Sequence, residues 1–339
     1  MLTTHPDSVS AGPAAAAAEG PGAPELSVII PTFNEKPNIM ALVDRLERAL
    51  AGISWEAIIV DDDSPDGTIG LVRTIAAGDR RIRGIRRIAR RGLAGACLEG
   101  ILASSSPVVA IIDGDLQHDE TRLPVMLDLV RSGKADLVVA SRYREGGAAG
   151  DGFSGLRHRV SKLATRLART VVKHELSDPM SGFFLVRRQL IEDVARRLSR
   201  QGFKLLLDIV ASSSPGLRIA EVPYAFAPRL SGESKLDAAV ALDYLGLLAA
   251  KLSGDRISLR FVGFGMVGSL GLGVHLAALA GFLDAGLSFD PAQTGAMLTA
   301  MSSNYFLNNA FTYRDRRRTG WKLWTGLLSF AALCSVGVV

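Results

Sequence analysis

The chain has 339 residues, 48% of them hydrophobic, with a net charge of +5 and a positive mean hydropathy. That length suits one sizeable globular domain plus a more apolar part, and so modest a charge gives no reason to expect a nucleic-acid partner. Only two cysteines occur, Cys97 and Cys334, in segments of different character, which excludes a disulfide framework and a cysteine metal site and places the main domain in the cytosol.

Residues 1–24 contain the run Pro13-Ala-Ala-Ala-Ala-Ala-Glu19-Gly20-Pro21-Gly22. It has little to pack and lacks the basic-then-apolar order of a signal peptide, so a disordered tail is expected. From Leu26 to about Leu230, short β-branched runs alternate with amphipathic stretches. Leu26–Ile30, a helix-like stretch over Ile39–Leu50, Ala57–Val60, Val108–Ile112 and Asp136–Ala140 follow in order. This alternation predicts an α/β domain with a mainly parallel sheet covered on both faces. Polar residues end each early strand: Pro31-Thr-Phe-Asn-Glu35, Asp61-Asp-Asp-Ser64 and Asp113-Gly-Asp115. Ligands of open α/β sheets sit beyond the carboxyl ends of the strands, so three such ends are expected to converge on one site.

Arg80, Arg81, Arg83, Arg86, Arg87, Arg90 and Arg91 form a basic cluster, read either as a solvated face or as a contact to anionic headgroups. Leu156–Lys173 carries Leu156, Val160, Leu163, Leu167 and Val171 on one stripe with basic residues around it, the pattern of a helix at a membrane surface. Leu236–Leu252 is a second candidate of this kind. An ordinary helix packed on the domain satisfies both patterns too.

After Asp255 the character changes. Leu259–Leu283 is long enough to cross a bilayer, Phe289–Phe311 is a second candidate despite Ser302-Ser-Asn304 and Asn308-Asn309, and a third apolar run starts at Trp324. That run stops at Val339, so an incomplete membrane domain is expected. Lys251, Arg256 and Arg260 precede the first span, no basic residue lies in Asp284–Asp290, and Arg314, Arg316, Arg317, Arg318 and Lys322 follow the second. The positive-inside rule then puts both basic ends, and the catalytic domain, in the cytoplasm. His275, Asn304, Asn308 and Asn309 are read as helix-to-helix hydrogen-bonding groups.

Chemistry points to Asp113-Gly-Asp115. Two carboxylates beyond the end of a buried strand suit a hard cation that shares its shell with phosphate oxygens, and Gln117 adds an amide oxygen nearby. Mg²⁺ or Mn²⁺ is the expected cofactor. His118, beside this motif, is read as a structural loop residue.

In order along the chain, Val28-Ile-Ile-Pro-Thr-Phe-Asn-Glu35, Ile59-Val-Asp-Asp-Asp-Ser-Pro-Asp-Gly-Thr68, Asp113-Gly-Asp-Leu-Gln-His118, Ser141-Arg-Tyr143, Asp178-Pro-Met-Ser-Gly-Phe183 and Arg229-Leu-Ser-Gly-Glu-Ser-Lys235 resemble the motifs of family 2 glycosyltransferases, in their dolichol- or polyprenol-phosphate mannosyltransferase branch. The region from Ile257 onward resembles a GtrA-like membrane domain. The resemblance implies a GT-A type, Rossmann-like nucleotide-sugar-binding domain over 25–235, an interfacial helix or linker over 236–256 and the membrane domain over 257–339.

It further implies a role for individual residues. Pro31, Phe33 and Glu35 would contact the nucleotide, Val60 and Asp62 its base and ribose, with Asp113 and Gly114 beside it. Asp115 and Gln117 would hold the metal, with Asp113 as a possible third ligand. Arg142, Arg229 and Lys235 would hold the donor diphosphate, and Arg157 and Ser161 the lipid phosphate. With Asp115, the three diphosphate-binding residues are the expected catalytic set. The reaction implied is inverting transfer of one hexose, mannose from GDP-mannose, to polyprenyl phosphate. A phosphate monoester is already largely anionic at neutral pH, with a second pKa of about 6, so no strong general base is needed.

The chain departs from the family pattern at Gly114, where alanine is common, and at Asp119-Glu120, which replaces a proline-rich stretch. No Gln-x-x-Arg-Trp signature occurs, which favours a single transfer over processive synthesis. UDP-glucose or another nucleotide-sugar as donor to undecaprenyl phosphate, and translocation of a lipid-linked sugar by the membrane domain, stand as alternatives. A dinucleotide-dependent oxidoreductase is disfavoured because no Gly-x-Gly-x-x-Gly follows the first strand.

Overall fold

A computed structural model of the chain describes residues 23–88, 92–144, 176–198, 204–227, 246–249, 251–253, 259–313 and 317–335. The expected tail, the helix over Leu156–Lys173, and Arg157, Ser161, Arg229 and Lys235 lie outside the described residues, the tail all but its last two.

Seven strands form one sheet: β1 (Leu26–Thr32), β2 (Trp55–Asp61), β3 (Ile82–Arg86), β4 (Val108–Ile111), β5 (Leu137–Ser141), β6 (Phe184–Arg187) and β7 (Ile219–Pro223), in the order β3-β2-β1-β4-β6-β5-β7. β1 pairs in parallel with β2 and β4, β2 with β3, and β5 with β7. β6 runs antiparallel to both its neighbours, β4 and β5. The sheet is thus mainly parallel as expected. The inserted β6 was not anticipated, because the four residues Phe-Leu-Val-Arg are too short to show a period.

Along β1 and β2, successive side chains enter opposite cores, as the strand period of two demands. Val28, Ile30, Ala57 and Ile59 pack under α1 (Lys36–Ala49), α2 (Thr68–Gly78) and α4 (Leu123–Arg131). Ile29, Ile58 and Val60 pack under α3 (Leu93–Ala103), α5 (Arg188–Val194) and α6 (Leu205–Ser212). α1 buries Ile39, Leu42, Val43 and Leu46, one helical stripe, and Pro37 sits in its first turn, where a missing N–H costs nothing. α3 comes close to the sheet because Gly100 has no side chain: a Cβ there would meet Ile29 Cγ2 at 2.5 Å and Val60 Cγ2 at 2.9 Å.

Four arginines of the basic cluster have partners within the protein, three of them at its surface and Arg87 buried, while Arg90 and Arg91 lie outside the described residues. On edge strand β3 and its flanks, Arg81 stacks on Trp55 and bonds Asp79 and Glu47. Arg83 pairs with Glu56, Arg86 with Asp63, and Arg87 with Asp62 and Glu99. Charged side chains on an edge strand also discourage pairing with another sheet.

Residues 246–249 and 251–253 are helical or turn, and Leu247 and Leu248 are buried in the core beside α6. Of the two readings of Leu236–Leu252, Leu247 and Leu248 follow packing on the domain, while Leu252 is exposed; residues 236–245 and 250 lie outside the described residues.

Beyond it run α7 (Leu259–Asp284), α8 (Phe289–Leu307), which continues as a π-helical turn over Asn308–Thr312, and α9 (Trp321–Ser335). Among the described residues only Phe261–Asp284 is both long and apolar enough to cross a membrane. α8 falls short through its polar residues. Phe261, Phe264, Leu270, Leu272 and Leu276 of α7 are exposed, an outward apolar surface suited to lipid.

Candidate functional site

Because β2, β1 and β4 are parallel neighbours, their carboxyl ends lie side by side, and the three polar turns read from the sequence meet there. The described non-glycine residues with positive φ are Asn34 (60°), Asp63 (59°) and Leu116 (62°), one in each turn. Such backbones cost free energy and persist where the surroundings enforce them, which is characteristic of functional sites.

Asp61 does much of the enforcing. Fully buried, it accepts hydrogen bonds from Ser64 N (2.9 Å), Ser64 Oγ (2.5 Å) and Thr32 Oγ1 (3.3 Å), while Asn34 N donates to Ser64 Oγ (2.9 Å). Asp66 joins the same two turns. It accepts from Lys36 N (3.1 Å) and from Thr68 N and Oγ1, and although burial opposes them, these hydrogen bonds hold its pKa below the ordinary carboxylate value.

Asp62, expected at the ribose, is engaged inward. Its carboxylate accepts from Arg87 Nη1 (2.5 Å) and Gly92 N (2.7 Å), and Arg87 also donates to Glu99 (3.0 Å) and Gly92 O (3.1 Å). Burial raises the Asp62 pKa against the pull of Gly92 and Arg87. Asp62 therefore anchors the start of the Gly92 turn. Val60 is fully buried under α3, so its side chain supports the site from below rather than facing a ligand.

In the third turn, a Cβ on Gly114 would stand 3.2 Å from Thr32 Cγ2 and 3.6 Å from Glu35 Cγ, so the β4 and β1 turns are in near contact. The Asp115 carboxylate is buried and accepts from Gln117 N (3.2 Å). Asp113 stays partly exposed and is bonded by His118 Nε2 (3.2 Å), while Gly182 leaves it room, since a Cβ there would stand 2.9 Å from Asp113 Oδ2. The Gln117 amide donates to Ala227 O (3.0 Å), which leaves its Oε1 as the atom available to a cation.

Among the described residues no group of three or more His, Cys, Asp or Glu side chains encloses a metal position. Two aspartates and an amide oxygen are too few for a closed protein cage, and their chemistry suits Mg²⁺ or Mn²⁺ whose shell is completed by phosphate oxygens. His118 is buried, stacked on Tyr224 and edge-on to Phe183 and Phe226, with its Nδ1 lacking a hydrogen-bond partner.

Arg142, expected at the diphosphate, has its fork on the buried Asp178, with Nε to Oδ2 at 2.8 Å and Nη2 to Oδ1 at 3.0 Å, and lies against Tyr143 and Phe226. Burial works against the charge, but the Asp178 bonds prevail and raise its pKa. Asp178 was within a quoted motif but without a role; its partner is 36 positions away, which no local pattern signals. Lys204, which precedes α6, was missed altogether. Burial lowers its pKa, with Arg142 adding to the effect and Asp178 and Asp113 opposing it, so its ammonium belongs to the same electrostatic neighbourhood. Phe33 and Glu35 stand on the β1 turn, where Asn38 Nδ2 donates to Glu35 (2.8 Å), and Pro31 is buried in β1.

In the membrane domain, His275 and Asn304 line a cavity of about 330 Å³ between α7, α8 and α9. Asn309 bonds Arg318 through both its amide atoms, but Asn304 Oδ1, Asn308 Oδ1 and Thr312 Oγ1 are buried without partners. The Asn304 amide packs close to Gly271, where a Cβ would stand 2.6 Å from its Cγ, so α7 and α8 approach each other there because Gly271 has no side chain.

The profile described as "Glycosyl transferase family 2" matches residues 27–195, and that described as "GtrA/DPMS, transmembrane domain" matches 263–339. A dolichol-phosphate mannosyltransferase of Pyrococcus furiosus is 32% identical over 317 residues, 93% of this chain and 88% of that protein. The Saccharomyces cerevisiae protein of the same name is 34% identical over 65% of this chain and 84% of its own length. Among solved structures, glucosyl-3-phosphoglycerate synthase of Mycobacterium tuberculosis in complex with Mn²⁺, UDP and glucosyl-3-phosphoglycerate superposes with a TM-score of 0.51 at 22% identity, over 68% of this chain and 80% of that one. The soluble part therefore has the GT-A fold.

Proposed function

As the chain belongs to the family 2 glycosyltransferases of the dolichol-phosphate mannosyltransferase type, joined to a GtrA-like membrane domain, we propose that it transfers one mannose from GDP-mannose to the phosphate of a membrane polyprenol. The observation that supports this reading is the adjacency of the carboxyl ends of β1, β2 and β4, with Asp113, Asp115 and Gln117 in the turn after β4, in a chain similar over 93% of its length to a protein named dolichol-phosphate mannosyltransferase.

In the proposed reaction an oxygen of the lipid phosphate attacks the anomeric carbon as the bond to the donor diphosphate breaks. GDP leaves and the configuration inverts. Pro31, Phe33 and Glu35 bind the nucleotide, with Val60 and Asp62 shaping its pocket from beneath. Asp115 and Gln117, with Asp113 beside them, hold the divalent ion, which supplies positive charge to the departing diphosphate when bound. Arg142, Arg229 and Lys235 add fixed positive charge where the negative charge grows. Arg157 and Ser161 receive the lipid phosphate, which enters already ionised. The enzyme is proposed to be multi-pass in the cell inner membrane with its catalytic domain in the cytoplasm.

The test is the detergent-purified chain with Mg²⁺ or Mn²⁺, polyprenyl phosphate and a panel of labelled nucleotide-sugars. GDP-mannose is expected to label the lipid extract, and Asp115→Ala to lower that labelling by more than about 100-fold with the fold intact. Label from UDP-glucose alone overturns the sugar. No lipid label, while the donor still binds in a metal-dependent way, overturns the acceptor.

A further inference from the structure

Lys251 lies in the short helical segment that precedes the first membrane helix, and its Nζ stands 2.8 Å from Asp208 Oδ1, 2.9 Å from Ser212 Oγ and 3.1 Å from Arg197 O. An ammonium has three N–H groups, and here three acceptors meet them. The Lys251 and Asp208 side chains are only 5% and 3% exposed. Leu247 and Leu248, on the same segment, are sunk in the core shared by α5 and α6. Burying an ion pair carries a large desolvation cost, and apolar side chains of similar volume stabilise a fold as well or better. What such a pair adds is directionality: it holds two elements in one register, where leucines alone would tolerate sliding.

The two elements matter for function. α6, eight residues and about 12 Å long at 1.5 Å per residue, carries Asp208 in its first turn and Ser212 at its end and follows directly on Lys204, whose pKa is influenced by Arg142, Asp178 and Asp113. In the other direction only residues 254–258 separate this segment from α7. Five residues span at most about 18 Å. With this segment docked on α6, the catalytic domain is therefore tethered within that reach of the membrane helix.

We propose that Lys251 and Asp208 form a clasp that sets the stance of the catalytic domain over the membrane, and so act as positioning residues for a membrane-embedded acceptor. This rests on the lipid-phosphate reading above. The clasp contributes to how the site is presented to the lipid and not to the chemistry at the strand ends.

The experiment uses the full chain in lipid vesicles and compares wild type, Lys251→Met, and the double variant Asp208→Leu with Lys251→Met. The double variant removes both charges together and leaves no buried ion unpaired. Three quantities are measured: metal-dependent GDP binding, kcat/KM with long-chain polyprenyl phosphate embedded in the vesicles, and kcat/KM with a short, water-soluble isoprenyl phosphate. In the double variant, GDP binding and use of the soluble acceptor are expected within twofold of wild type, while kcat/KM for the embedded acceptor falls at least tenfold. Equal loss on both acceptors, or loss of GDP binding, shows a merely structural role and overturns the clasp; so does full retention on the embedded acceptor. If wild type turns over neither acceptor while still binding GDP, the lipid-phosphate reading falls, and the clasp with it.

Discussion

Arg87 is a cation in the protein interior, held there because three acceptors, Asp62, Glu99 and the Gly92 carbonyl, surround it. Replacing it with methionine keeps the bulk and leaves Asp62 a buried carboxylate without its counter-ion. Breaking a buried pair in this way costs about 3–5 kcal/mol. Chemical denaturation of the detergent-solubilised chain is expected to show a loss of that size for Arg87→Met, with much of it recovered by adding Asp62→Leu; a change under about 1 kcal/mol contradicts the buried pairing. Arg142 differs in being half paid for: its fork is on Asp178, yet its aromatic neighbours Tyr143 and Phe226 leave the cation at the site. The strand-end aspartates were readable as residues because their position after apolar runs is a local property. Which of them faces a ligand was not, since Asp62 is turned inward by partners 25 and 30 positions away, and Asp61 by Ser64 beside it together with Thr32, 29 positions away.

Among the elements, the junction of β5, β6 and β7 depends on Asp136. Its side chain takes Arg218 Nε (2.9 Å) and Nη2 (2.6 Å) from the approach to β7 and Arg187 (3.3 Å) from β6, and its backbone bonds the same two residues. The Arg218 hydrogen bonds, more than burial opposes, hold the Asp136 pKa below its ordinary value. A carboxylate depressed on folding stabilises the native state above its unfolded pKa of about 3.9, and that contribution disappears as pH falls through the lower folded value. Asp136→Asn is therefore expected to lower the melting temperature at pH 7 and to flatten its decline below about pH 4. A wild-type acid limb in the variant would exclude Asp136 as its source. At this scale β1, β2, β4 and β5 were legible from β-branched runs, and α1 from its stripe. β6 was not, because antiparallel insertion between β4 and β5 is a property of pairing partners rather than of Phe184–Arg187 itself.

For the whole molecule, the proposed topology, drawn from the charge distribution of the loops, has the turn between α7 and α8 on the side of the membrane away from the catalytic domain. In a Cys334→Ser background, Leu287→Cys, at an exposed position in that turn, is expected to react with an impermeant thiol reagent from outside the cell membrane. Reaction from the cytoplasmic side alone reverses the topology. Order, composition and period within the chain determined the α/β class, the motif-bearing strand ends, the metal-suited carboxylates and the apolar tail, because each is written in residues that are neighbours in sequence. Tertiary structure alone decided that Arg81, Arg83, Arg86 and Arg87 of the basic cluster are held in ion pairs, that Asp62 and Arg142 have protein partners, and that Lys251 of the segment before the membrane pairs with Asp208 of α6. The reason is physical: a charge takes its environment from whatever the fold brings within a few ångströms of it, and those groups lie tens of positions away along the chain.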